Sequence, residues 1–332
     1  MNTQGNRSLL LPLLLILGGG IWLLNEANIV SGANIAMLFR LVPFILIVLG
    51  IELVIRGRYP RAAMYLGIGS AVVLLALVLV GPSLGWVSSR EVQSGSYEDP
   101  LNDATSAEVN VGISVGEVNV TTLTDSSNLF EADISYVGRV EFFQRGEAER
   151  FVSLQQTESG NGNFDFGDLF NFWDIRIDQV VWNIGIAPEV PINLDVNAGV
   201  GRADLNLADV NLTRLSVNAG VGEVIATLPA TDASYEAVFS GGTGSMEITV
   251  PEGAAVELRV SGGVGGTTID VPDGASVTLD ASTGLGGVDV PAGYTLTSGN
   301  DNDGVWQSGD YNNDARQITI HYEGGVGGLT VR

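Results

Sequence analysis

Carboxylates, one imidazole and a run of aromatic side chains are the groups from which chemistry would have to be built in this chain. The densest acidic stretch, Gly299 to Asp314, reads GNDNDGVWQSGDYNND, and Asp301, Asp303 and Asp310 in it could offer oxygen ligands to Ca²⁺. The alternating ligand pattern of a calcium loop breaks at Gly299 and no Glu follows at the right distance, so a solvated loop is the stronger expectation. His321 is the single histidine, and cysteine is absent. That excludes a disulfide framework, a thiol nucleophile and the common zinc sites. A Ser-His-Asp triad would have to use His321, which falls inside a strand of a repeat. No catalytic residue, cofactor site or resident metal is therefore assigned. The segment Phe164 to Trp182, FDFGDLFNFWDIRIDQVVW, sets aromatics beside acids just before the regular repeats. It reads first as a cap over the open end of a repeat stack and second as a binding surface.

The elements that would carry these residues differ sharply along the chain. Of the net charge of −23, residues 1–84 contribute +3, from five Arg against Glu26 and Glu52, so the remainder carries −26. Such a domain repels phosphate backbones, which argues against nucleic acid, and it repels acidic polysaccharides, which argues against the β-helical enzymes that cleave them. Every basic residue except His321 is Arg. With 332 residues, the chain has room for two domains.

Residues 1–87 are expected to form a transmembrane domain with three α-helical spans, at about 8–25, 35–55 and 62–86, each near the ~20 apolar residues that cross a hydrocarbon core. The middle span carries Arg40 and Glu52, with Glu52 four residues before Arg56 on one helix face. Arg7 precedes the first span, and Arg56, Arg58 and Arg61 lie between the second and third, which places the N-terminus inside and everything after Trp86 outside. A rival reading makes residues 1 to about 33 a cleaved signal peptide. Either way the expected location is a cell membrane crossed several times, with the lipid bilayer as a partner and the large domain facing outward.

Ser88 to Ala107 is polar and reads as a linker; 108–193 reads as an irregular β lead-in and cap; 194–332 is a repeat. The strings LDVNAGVGRADL, LSVNAGVGEVIA, AVFSGGTGSMEI, LRVSGGVGGTTI, LDASTGLGGVDV and IHYEGGVGGLTV begin at Leu194, Leu215, Ala237, Leu258, Leu279 and Ile320, with steps of 21, 22, 21, 21 and 41 residues. Their paired glycines are Gly199 and Gly201, Gly220 and Gly222, Gly242 and Gly244, Gly263 and Gly265, Gly284 and Gly286, and Gly325 and Gly327. A degenerate copy, VNVGISVGEVNVTT, runs from Val109 to Thr122. Apolar columns alternate with polar ones on both sides of each G-x-G, the period of two of a strand with one buried face. The turns Pro251-Glu252-Gly253, Pro272-Asp273-Gly274 and Pro291-Ala292-Gly293 follow. Each unit should be strand, G-x-G turn, strand, P-x-G turn, stacked as a single-chain β-solenoid with an all-β core. The 41-residue step is expected to replace one coil by an irregular excursion. The end at Arg332 is left as an open edge, or is covered by that excursion.

Two stretches resemble a known bacterial family. LLLPLLLILGGGIWLLNEANIV and LFRLVPFILIVLGIELVIRGR look like the transmembrane region of LiaI- and LiaF-type proteins, and WNIGIAPEVPINLDVNAGVGRADLNLADVNLTRLSVNAGVGEVIATLP looks like the toast-rack β-repeat domain grouped with adhesins. The resemblance implies a toast-rack fold without catalytic residues and a LiaF-like regulator of cell-envelope stress, with a membrane histidine kinase as partner. The alternative it leaves is a surface-displayed structural module or adhesin.

Overall fold

The computed structural model describes residues 41–56, 58–80, 92–157, 179–231, 233–309, 311–312 and 317–332. The chain divides into two compact units, residues 1–91 with 160–176, and residues 92–159 with 177–332.

In the first unit, α1 (Val42–Arg56) and α2 (Pro60–Val80) are joined by a tight turn in which the amides of Arg58 and Tyr59 both donate to the carbonyl of Ile55, at 3.0 and 2.8 Å. Pro60 opens α2, where its missing N–H would have had no helical partner. Val48, Ala71, Leu74 and Val78 are buried, and so is the Glu52 carboxylate. The expectation of three spans needs correction. The stretch 8–25 lies outside the described residues, as does Arg7. The second span is met by α1, whose 15 residues reach about 22 Å against the ~30 Å of a hydrocarbon core. The third is met in part by α2, which carries Arg61 in its first turn; residues 81–86 lie outside the described residues. No helix among the described residues is long and apolar enough to cross a membrane. Three transmembrane helices and a multi-pass membrane location are therefore withdrawn, and with them the orientation drawn from Arg56, Arg58 and Arg61. These three are the last residue of α1, an exposed residue of the turn and an exposed residue of α2.

The second unit is a stack of β coils. β7 (Ile192–Asn206), β8 (Leu212–Thr227) and β9 (Tyr235–Thr249) each run through their G-x-G without a break, so the glycines bend a continuous strand. Later coils divide there, into β10 (Val256–Val264) and β11 (Thr267–Asp270), β12 (Val277–Leu285) and β13 (Val288–Asp289), and β16 (Ile318–Val326) and β17 (Leu329–Val331). Parallel pairing in exact repeat register places like side chains above one another at about 4.8 Å. One inner ladder runs Val111, Val196, Val217, Phe239, Val260, Tyr322, Ala281, and all seven are buried. Each side chain in such a column removes about 1.5–3 kcal/mol worth of apolar surface from water.

That ladder also shows that spatial order departs from chain order. β16 lies between β10 and β12, in parallel register with both, and β17 lies between β11 and β13. The last repeat is thus the penultimate coil, inserted between two coils that are consecutive in sequence. The 41-residue step includes a hairpin, β14 (Thr295–Asn300) and β15 (Asp303–Gln307), whose second strand pairs antiparallel with β12. Trp306 stands opposite Leu279 and is buried, so the excursion covers the end of one inner ladder.

At the other end, β2 (Ser106–Thr122) is the first full coil. β5 (Glu149–Thr157) pairs with its first half and β6 (Val181–Ile186) with its second; Leu154 and Trp182 are buried there. β3 (Asn128–Tyr136) lies antiparallel on β6, β4 (Arg139–Arg145) on β5, and β1 (Gln93–Pro100) on β3. The polar stretch read as a linker therefore contains a strand, which among the described strands pairs with β3 alone and so can be polar on its open edge. Asp99, fully buried at the end of β1, is held by the Arg150 guanidinium through Nε to Oδ2 at 3.0 Å and through Nη2 to Oδ1.

The P-x-G turns close by bonds from the amides of Ala254, Ala275 and Tyr294 to the carbonyls of Pro251, Pro272 and Pro291. Proline is thus the first residue of each turn, and the glycine two places on takes the positive φ.

Candidate functional site

The bend of the coils is the place where the stack presents something other than a uniform ladder. At Gly222 φ is +148°, and a Cβ there would fall far inside contact distance of the Gly201 carbonyl in the coil beneath. The same relation links Gly116, Gly201, Gly222, Gly244, Gly265, Gly327 and Gly286 in spatial order, so the glycines permit backbone to lie on backbone. The preceding glycines, Gly199, Gly220 and Gly242, likewise face carbonyl oxygens of the neighbouring coil. Side chains are excluded from the bend except at the residue between each glycine pair, which must point outward.

Those intervening residues form an exposed apolar ladder: Val200, Val221, Val264, Val326 and Leu285, with Thr243 in its third place. Val221 and Val264 are about half exposed, at 52% and 51%, and Leu285 at the end of the stack is 72% exposed. Beside the ladder runs an open groove of about 640 Å³, with Gly199, Gly220 and Gly242 among its lining residues. Its polar groups are Ser114, Gln155, Gln156, Asn197, Asn218 and Ser240, and among the described residues no carboxylate, imidazole or guanidinium lines it. The polar groups are tied across coils. Asn218 Nδ2 donates to Asn197 Oδ1 at 3.1 Å, the Ser114 amide donates to Gln156 Oε1 at 3.0 Å, and Gln156 Nε2 donates to the Val137 carbonyl at 2.8 Å. Amides and hydroxyls can hold a neutral polar strand by hydrogen bonds; they do not supply a general base.

The outward faces of the strands carry the charge. Arg214, Glu236, Arg259 and Glu257 form a chain of ion pairs over β8, β9 and β10, with Arg214 Nη1 2.7 Å and Arg259 Nε 3.1 Å from Glu236. His321 on β16 continues the series, its Nδ1 3.7 Å from Asp280 and its Nε2 4.0 Å from Glu257. It belongs to a surface ladder and does not line the groove.

Asp301 and Asp303 occupy the tip of the β14–β15 hairpin, where Asn300 Oδ1 accepts the amides of Asn302 and Asp303 at 3.0 and 3.2 Å. Asp310 lies outside the described residues. Among the described residues no group of three or more acidic, histidine or cysteine side chains is placed to hold a metal ion. Most of the aromatic stretch 164–182 also lies outside them; Val180 and Trp182 are buried against the first coil. Sequence reasoning passed over the exposed ladder, although its signal was present as an apolar residue inside five of six G-x-G triplets.

Residues 88–249 match the family model described as the N-terminal domain of toast_rack, DUF2154. That supports a toast-rack domain here. Among solved structures, a "putative cell adhesion protein" from Clostridium sporogenes is similar at TM-score 0.51 and 18% identity, covering 73% of this chain and 99% of that one. This is a likeness of fold. A "putative adhesin" from Bacteroides fragilis aligns over 73% of this chain and 98% of its own, but at TM-score 0.22 and 9% identity it does not bear on the fold. No curated protein matches the chain. The comparisons support the toast-rack part of the expected resemblance and give no support to a LiaF-like membrane region or to stress sensing.

Proposed function

We propose that this chain is a non-enzymatic structural or adhesive module that works at a surface, with the bend of its toast-rack stack as the contact face. The observation that carries the reading is the exposed Val200, Val221, Val264, Val326 and Leu285 ladder beside an uncharged groove, in a protein of net charge −23. Elsewhere on the strands the outward positions carry ion pairs, whereas here they are apolar or amide-bearing, the composition of an interface core. The stack is stiff, because each inner coil is bonded to two others, so little ordering cost attends contact at this face. The adhesive description of the Clostridium sporogenes protein, which shares the fold, agrees with this reading.

The test is retention of the purified chain on peptidoglycan, on matrix proteins and on cells of its own strain, beside the double variant Val221→Asp, Val264→Asp. Binding to one of these surfaces that falls at least about tenfold in the variant supports the proposal. Equal binding by both proteins, or none by either, removes it.

A further inference from the structure

We propose that the last repeat, residues 318–332, is an exchangeable coil, and that the slot it fills accepts the same repeat from a second copy of this chain. The inference is independent of the adhesive reading. It begins from topology: β10/β11 and β12/β13 are joined by residues 271–276 alone, yet a whole coil separates them, and that coil is the last repeat. Until residues 318–332 arrive, two strand edges face each other across a gap one coil wide. Such edges are templates for pairing.

The slot is specific for its occupant. Tyr322 stands between Val260 and Ala281, the smallest member of its column, while the equivalent Phe239 lies between Val217 and Val260. Ile318, Ile320, Tyr322, Leu329 and Val331 are all buried, so the coil is an integral layer of the core. At its end, Arg332 Nη2 donates to Glu247 at 2.9 Å and to Asp270 at 3.2 Å, reaching past β11 to β9. No other repeat ends in an arginine at that column. A copy supplied by another molecule makes every one of these contacts again, which is the condition for low-cost exchange between identical chains.

The chain has no cysteine, so introduced cysteines report the pairing directly. Thr278 and Thr319 are register partners on β12 and β16 with half-buried outward side chains. Partners on neighbouring parallel strands lie about 4.8 Å apart, within the Cα range a disulfide bridges. Full-length Thr278→Cys and Thr319→Cys proteins are mixed, incubated, oxidised with diamide and separated on non-reducing gels. Ser216→Cys, on the outward face of β8, replaces Thr278→Cys to measure random collision. The expected result is a mixed disulfide dimer of the 278 and 319 variants that grows with incubation and exceeds the 216 and 319 pair at least about tenfold. The double variant in one chain is expected to close an internal disulfide and, once closed, to stop exchanging. Equal yields from the two mixtures overturn the proposal. So does an internal disulfide in the double variant with no mixed dimer in the 278 and 319 mixture, and so does failure of the internal disulfide to form.

Discussion

Coils β7, β8 and β9 stack in the order in which the chain is made, whereas from β10 onward the order is interleaved, with the final repeat seated between its two predecessors. The repeat sequences on the two sides of this boundary are nearly interchangeable. A coil's internal shape is therefore set by its own columns of apolar residues and glycines, while its neighbours are chosen by something else. The choice is made at the ends. Coil 279–289 can be terminal because the β14–β15 hairpin lays Trp306 over Leu279. Placing the last repeat inside leaves its two faces paired and puts the one capped coil at the edge.

The largest effect that could break this comparison comes from the bend. Gly222→Val in the sequential region meets the Gly201 carbonyl at a positive φ, and is expected to cost about 4 kcal/mol or more, read as loss of the unfolding transition or of soluble protein. Gly287→Ala, whose new methyl group meets nothing within 4 Å, should leave the denaturation midpoint almost unmoved. If both were tolerated, backbone-on-backbone packing would not be what the glycines serve.

Next comes the pair Phe239→Ala and Tyr322→Ala, equivalent columns in the two regions. Each empties a buried aromatic site and should cost about 3–5 kcal/mol. The distributions should differ. The first lowers hydrogen-exchange protection throughout β7 to β9, and the second concentrates the loss in residues 318–331 because that coil can leave by itself.

Asp99→Ala in the N-terminal cap leaves the Arg150 guanidinium without its buried partner and should cost about 3 kcal/mol in urea denaturation. Arg332→Ala removes ion pairs to Glu247 and Asp270 that are exposed to solvent, and the urea midpoint is expected to move far less than in Asp99→Ala. The Asp270 carboxylate raises the Arg332 pKa further, so this contribution does not vary across the ordinary pH range.

The smallest effect is a pH dependence in the N-terminal region. Glu131 accepts hydrogen bonds from Ser126 Oγ and from Asn128 Nδ2, the latter at 2.9 Å, and these hold its pKa below the usual 4.5. A carboxylate depressed on folding stabilises the protein above its unfolded pKa, and that contribution is lost as the pH falls through the folded value. The stability gap between the native chain and Glu131→Gln should therefore be constant near neutrality and close below about pH 4.

Much of the β unit was legible in the sequence. The columns beginning at Leu194, Leu215, Ala237, Leu258, Leu279 and Ile320 are the buried ladders, and the glycine pairs mark the bends. Other features were not legible for definable reasons. Ser88 to Ala107 looked like a linker because an edge strand needs few apolar residues, so β1 left no periodic trace. The exposed ladder was passed over because single outward valines are ordinary until stacking aligns them. The apolar helices were read as spans from composition, which counts residues without regard to where a helix starts and stops; α1 ends at Arg56 after 15 residues.

What the sequence by itself determined is the coil: alternation chooses the buried face, glycine chooses where backbone can lie against backbone, and the 21-residue spacing makes coils interchangeable. What the tertiary structure decided is their order and their ends. Interchangeability is the physical reason, since near-identical repeats offer one another nearly equal pairing energies within the chain. The difference is settled by the few residues that depart from the repeat, Trp306, Tyr322 opposite Ala281, and Arg332, whose partners become neighbours only once the stack has closed.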